Sequence, residues 1–272
     1  MMKHILLILS LFVLPCMGAG AKVYNNAGHG SGVATRVAAA SSDIKLAQYL
    51  EQFYFSEEGK KALLAGAEGN TNALARLEQK CLIDAYCIGA AAAGHAEALL
   101  QCIDKGANPD DAIYRAAECG HMDIVLSMLS QGADPDWGIR GAANGGHMNI
   151  VEILLNNGAD PDKGLAGAAG NGHLNIVKFL LRNGATPDEA LWSAAYNGHT
   201  DVVKFLLKNG ADPNMGLAGA AAGGNKKLVE FMLAQPGVNV NKKDHTGITP
   251  INWAMIKGHT ECSQLLRTAM RK

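Results

Sequence analysis

From Gly94 onward, apolar and polar positions recur along the chain with a period of 26 residues. A Gly-His pair marks each copy, at Gly94-His95, Gly120-His121, Gly146-His147, Gly172-His173 and Gly198-His199, with Gly224-Asn225 as a sixth, altered copy. After the marker the apolar residues fall at helical spacing: Ile150, Val151, Leu154 and Leu155 in one copy, Ile176, Val177, Leu180 and Leu181 in the next, then Val202, Val203, Leu206 and Leu207. That spacing predicts an amphipathic helix with one buried stripe. Gly158, Gly184 and Gly210 follow it, where a helix end enters the left-handed region that glycine tolerates best. Pro161, Pro187 and Pro213 then forbid continuation.

The residue after each proline, Asp110, Asp136, Asp162, Asp188 or Asn214, predicts the N-cap of another helix. In that helix a large aliphatic residue precedes two alanines: Ile113, Ala116, Ala117; Ile139, Ala142, Ala143; Leu165, Ala168, Ala169; Leu191, Ala194, Ala195; Leu217, Ala220, Ala221. Alanines at the same place in every copy let first helices of neighbouring units approach closely. A unit of two short helices is too small to bury its own apolar face and must stack on its neighbours. Counting worn copies at both ends, the pattern predicts an all-α solenoid of about eight units.

The string A-A-x-x-G-H-x-x-I-V-x-x-L-L-x-x-G-A-D-P resembles the second two-thirds of an ankyrin repeat, over roughly Leu63 to Arg267. The chain departs from that family in one respect. The family's repeat runs to about 33 residues and includes a β-hairpin finger before its first helix, whereas these copies pass from Asp-Pro-Asp straight into the helix. Only the last unit, from Val240 to Ala254 and containing Thr249-Pro250, keeps the finger. The resemblance implies a helix-turn-helix solenoid with one complete C-terminal repeat.

It also implies that the two residues before each Gly-His line a concave binding face. Among these and earlier positions on the same helices, Tyr114, Glu118, Trp137, Arg140, Asn144, Asn171, Trp192, Tyr196, Asn197 and Lys257 are the candidate partner-binding residues. Trp, Tyr and Arg dominate binding hot spots. The function so implied is a protein–protein interaction scaffold, monomeric, with no cofactor. A narrower alternative is an accessory protein of the periplasmic or effector type that stabilises or inhibits one enzyme.

The ends differ from the array. Lys3 and His4, the apolar run Ile5 to Leu14, and Ala19-Gly20-Ala21 predict a Sec-type signal peptide over residues 1–21, and hence a periplasmic or secreted protein with no membrane span once mature. Residues 22–42 read as a flexible lead. Residues 43–84 read as capping helices with a degenerate repeat, and 85–272 as the array.

Charge and chemistry narrow the reading further. The formal net charge of -1, with no Lys/Arg run, offers no footprint for nucleic acid or an anionic membrane. Cys81, Cys87, Cys102, Cys119 and Cys262 remain after signal removal, an odd number without framework spacing. Cys87 and Cys102 stand where other copies have Ile or Leu, which predicts buried thiols, with a bridge between them as the alternative in an oxidising compartment. His95, His121, His147, His173, His199 and His259 form a ladder, but units stacked about 10 Å apart cannot place two of these rings on one ion. Each ring is therefore expected to bond across the turn to its neighbour. The same spacing argument sets calcium aside for Asp134, Asp136, Asp160, Asp162 and Asp212. No metalloprotease, nucleophile-elbow or phosphate-loop motif occurs, and the chain is read as no enzyme. The enzymatic alternative is a thiol site at Cys119 with Glu118, His121 and Asn144.

Overall fold

The structure, a computed structural model, describes residues 57–244 and 246–271. The predicted signal peptide, the lead and the capping helix from Asp43 lie outside the described residues. The chain divides into two compact units, Met1–Asp160 and Pro161–Lys272. Among the described residues there are sixteen helices, in eight pairs, and no strand. The first unit holds α1 (Glu57–Ala67), α2 (Thr71–Ala75), α3 (Lys80–Ala93), α4 (Ala96–Asp104), α5 (Pro109–Cys119), α6 (Met122–Ser130), α7 (Pro135–Gly145) and α8 (Met148–Asn156). The second holds α9 (Pro161–Gly170), α10 (Leu174–Arg182), α11 (Asp188–Asn197), α12 (Thr200–Lys208), α13 (Pro213–Gly223), α14 (Lys226–Leu233), α15 (Pro250–Ile256) and α16 (Thr260–Ala269). Odd-numbered helices are the first of each pair.

The predicted stripes are the core. Ile124, Val125 and Met128, then Ile150, Val151 and Leu154, and in the second unit Val203 and Leu206, lose essentially all solvent contact. The fourth stripe member, Leu155, Leu181 or Leu207, is half-buried at the edge. Gly158, Gly184 and Gly210 have φ of 90°, 98° and 89°, and the marker glycines are left-handed as well. Both helix ends of a unit are thus closed by the residue that pays no Cβ penalty there.

Three of the five predicted N-caps are displaced by two residues, and at a fourth, Asp188, the helix starts behind Pro187 with no side-chain cap. The caps are Asn108, Asp134 and Asp212, before the proline, and their side chains accept from the amides of Asp110, Asp136 and Asn214. Proline's missing N–H and fixed φ suit the first helical position, so the helix takes the proline in and moves its cap ahead of it. The aspartate after the proline is left free for another task. Asp110 Oδ1 accepts from the amide of Asp134 at 2.7 Å and Asp136 Oδ1 from the amide of Asp160 at 2.7 Å. In the second unit Asp162, Asp188 and Asn214 accept from the amides of Thr186, Asp212 and Asn239. Within each unit, from α5 on in the first, this bond stitches one turn forward to the next.

Asn214 makes the stitch without a charge, which sets a prediction. Asp136→Ala should cost about 1–2 kcal/mol by leaving the Asp160 amide without its acceptor, whereas Asp136→Asn should cost a small fraction of that. Urea denaturation of the two variants checks it, and equal losses would show that charge, not geometry, is what the position supplies.

The alanine pairs are fully buried, as their spacing predicts. The closest helix contacts, however, are made by glycine. A Cβ on Gly141 would lie 2.1 Å from the Tyr114 carbonyl oxygen, one on Gly219 2.4 Å from that of Trp192, and one on Gly223 1.9 Å from that of Tyr196. First helices α5 and α7, and α11 and α13, therefore approach to a distance that no side chain at these positions would permit.

The histidine ladder spans the turns. His95 Nε2 lies 3.0 Å from the carbonyl of Ala67, His121 2.9 Å from that of Ala92, His147 3.0 Å from that of Glu118, and His259 3.1 Å from that of Ala222. A carbonyl only accepts, so Nε2 carries a proton and donates it. His199 bonds the Gly170 backbone in the same way, and its pKa lies below 6.5: burial is the main cause, and the nearby His173 adds to it against the raising effect of the Gly170 bond. The folded state thus holds this proton less tightly than the unfolded chain. Its contribution to stability is complete above the unfolded value of 6.5 and is lost as pH falls through the lower folded value. Melting temperatures between about pH 8 and pH 5 should fall more for the native chain than for His199→Gln, and parallel curves would refute the assignment.

The last unit keeps a longer connection, but as a tight turn, not a paired hairpin. Asp244 Oδ1 accepts from the amides of Thr246 and Ile248 and from Thr246 Oγ1, while Oδ2 accepts from Trp253 Nε1 at 2.6 Å. Burial alone would raise the Asp244 pKa; these bonds outweigh it and hold the carboxyl below its ordinary value. On α16, Cys262 and Leu266 are buried and Arg267 is exposed, a mostly polar outer helix as expected of a terminal unit.

Candidate functional site

The solvent face of the first helices is built from residues at one, two, five and six places before the marker glycine. In the first unit this face is tied together. Asn144 Nδ2 on α7 donates to Tyr114 Oη on α5 at 2.8 Å, across the place where Gly141 has no side chain. Burial first, then the charge of Glu118, pushes the Tyr114 phenol well above its usual range, so it stays protonated. Arg115 and Glu118 pair at 2.6 Å. Trp137 is half-buried, and the Arg140 guanidinium covers its ring at 5.2 Å from the centroid. Five aromatic and charged groups, Tyr114, Arg115, Glu118, Trp137 and Arg140, are thereby fixed before any partner arrives.

In the second unit, Trp192 and Tyr196 of α11 stack at 5.1 Å with planes 12° apart. Trp192 also meets the edge of Trp253 on α15, 6.5 Å away, reaching across α13. The crossing is possible because α13 presents Ala218, Gly219, Ala222 and Gly223 on that side. Lys257 Nζ lies 6.0 Å over the Trp253 ring. Asn171 and Asn197 are exposed, each with Nδ2 turned back to a carbonyl of its own helix. Trp192 Nε1 is buried and has no hydrogen-bond partner, at a cost of about 1–3 kcal/mol for such a donor.

The ten predicted residues therefore fall into two sets, Tyr114, Glu118, Trp137, Arg140 and Asn144 in one unit and Asn171, Trp192, Tyr196, Asn197 and Lys257 in the other. Trp253 was missed. It stands five places before Gly258, the register of Ser193 and Arg115, and reading that register in every copy finds it. The exposed Ile256, three places on, lies on the same face of the helix.

The thiol alternative finds its groups committed elsewhere: His121 is bonded to Ala92 and Asn144 to Tyr114. Cys87 and Cys102 are buried free thiols, and Cys102 Sγ donates to the Ala98 carbonyl at 3.1 Å. A hydrogen bond with Cys102, with burial behind it, pushes the Cys87 thiol well up. Among the described residues no group of three or more His, Cys, Asp or Glu is placed to hold a metal ion, and no helix is long and apolar enough to cross a membrane.

Paired short helices, stacked by buried stripes and stitched turn to turn, define a helical repeat protein whose first helices carry a varied polar and aromatic face. Residues 139–216 match the family model described as ankyrin repeats (3 copies), and residues 219–267 the one described as ankyrin repeats (many copies). Residues 139–216 and 219–267 are thus ankyrin repeats, which indicate a protein–protein interaction scaffold. The crystal structure of the human ASB11 ankyrin repeat domain is similar at 24% identity, over 66% of this chain and 96% of that one, with a TM-score of 0.48. No curated protein matches the chain.

Proposed function

We propose that the chain is exported and binds a partner protein through the solvent face of its first helices. The observation that carries this reading is the division of labour within each repeat. Stripe, alanine pair, marker glycine and stitch recur from copy to copy, while the face positions change, from Tyr114 and Glu118 to Arg140 and Asn144 to Trp192 and Tyr196. Their side chains are held by ring stacking, a cation over a ring and the Asn144 to Tyr114 bond, so little order is lost on association. Export is supported by the charged start, apolar run and small-residue site of residues 1–21.

Site-specific photocrosslinking tests the face. A photoreactive residue at Asn144 or Asn197 should capture a partner in the protein's source, and one at Lys178 or Lys204 on the second helices should not. Adducts confined to the second helices would refute the reading. N-terminal sequencing tests export: a mature chain beginning near Lys22 is the expected result, and an intact Met1 in a cytoplasmic fraction excludes it.

A further inference from the structure

We propose that the last repeats form a docking site for an acidic segment of a partner protein that also carries large apolar side chains, seated on the Trp192, Tyr196 and Trp253 cluster beside Lys257. This rests on the reading that the first helices bind protein and specifies the chemistry of what they bind in the second unit.

Charge is the first support. The net charge of -1 conceals a segregation: residues 57–160 hold 7 Lys and Arg against 15 Asp and Glu, whereas residues 161–272 hold 13 against 8. One unit is acidic and the other basic, and an acidic segment is drawn to the second and repelled by the first. Near the cluster the excess is unpaired. Lys242 is taken by Asp212 and Lys226 by Glu261, while Lys257 has the Trp253 ring and, among the described residues, no carboxylate. The carboxylate within the cluster, Asp244, accepts four hydrogen bonds and has little capacity left to neutralise a neighbour.

The second support is the shape and unmet bonding of the surface. Trp192 and Trp253 bridge over the small residues of α13, and Ile256, one turn on from Trp253, has 64% of its surface exposed. Lys257 is exposed and its Nζ is a donor only. A segment supplying carboxylate or carbonyl oxygens together with apolar side chains meets both needs. Single-stranded nucleic acid would need open ring faces for its bases, whereas these rings are committed to one another and to Lys257.

Selection of a random dodecapeptide display library on the full chain tests the proposal, with an Ile256→Ser, Lys257→Glu double variant in parallel; both residues are exposed, so the fold is not at stake. The selected pool should be enriched in Asp and Glu together with Leu, Phe or Trp. Its peptides should bind the native chain roughly tenfold more tightly than the variant and quench tryptophan fluorescence. A pool rich in Lys and Arg, no enrichment, or equal binding to both proteins overturns the proposal, as does tighter binding of an oligothymidine probe. A salt-sensitive dimer lost in the variant would assign the surface to a second copy and overturn it too. If crosslinks from Asn144 persist while the pool shows no acidic enrichment, this proposal fails and the general binding face stands.

Discussion

Gly141→Ala will destabilise the first unit by about 3 kcal/mol, even though alanine is the better helix former by about 1 kcal/mol. The sign is decided by what the new methyl meets. It would lie 2.1 Å from the Tyr114 carbonyl oxygen and 3.1 Å from the Glu118 nitrogen, both backbone atoms that no rotamer change can move. Helices α5 and α7 would have to separate, opening the layer of Ala116, Ala117, Ala142 and Ala143. Gly138→Ala on the same helix is the control for propensity. Its methyl would meet only the side-chain ends of Leu154 and Ile113, which can shift, so the loss should be much smaller. Gly158→Ala is the control for backbone strain, since nothing lies within 4 Å and only its left-handed conformation is penalised, by about 1–2 kcal/mol. Urea denaturation of the three variants orders them, and a Gly141→Ala protein as stable as the native chain would show that α5 and α7 are not held at this distance.

This contrast shows why some of the molecule was legible in the sequence and some was not. The period of 26 makes every position a comparison with its equivalents, so Ile150, Val151 and Leu154 declare a buried stripe and Gly158 a helix end before any coordinates. Periodicity does not say which of two small residues makes the closest contact. Ala142 and Gly141 are adjacent, and only the backbone geometry shows that the glycine faces a carbonyl. The caps went wrong for a related reason: Asn108 and Asp110 are both good caps flanking Pro109, and the choice depends on the helix absorbing the proline. Asp110, relieved of capping, bonds forward to the next repeat, a role visible only once the turns are stacked.

The candidate face was legible in part for the same reason. The two places before each Gly-His were read in every copy, which found Tyr196, Asn197, Asn144 and Lys257. Trp253 stands at a place occupied by Ser193, Gly141 and Gly219 elsewhere, and a comparison that looks for large residues where large residues recur passes over it. Its importance comes from α13 being small enough for Trp192 to reach it. The charge segregation was present in the sequence throughout, but a whole-chain sum averages it away.

His147→Ala should cost the first unit about 2 kcal/mol, by removing the donor to the Glu118 carbonyl and leaving that group partly buried without a partner. The ring also covers Gly120, where an added Cβ would lie 2.7 Å from it, so its loss opens the turn between units. The chain contains its own comparison at the sixth copy, where Asn225 replaces the histidine. The Asn225 side chain accepts from the amide of Leu228 and so caps its own helix, whereas none of His95, His121, His147, His173, His199 and His259 makes a side-chain cap bond. Asparagine thus exchanges a tie between units for a cap within one. A side-chain cap contributes about 1 kcal/mol, so His147→Asn should lose roughly half of what His147→Ala loses. The two variants should differ in kind as well as in size. Hydrogen exchange in His147→Asn should slow at the amides of the first turn of α8 and quicken in α5, where the tie to Glu118 is gone. A His147→Asn protein as unstable as His147→Ala would mean that the bond across the turn, and not the cap, sets the stability of this joint.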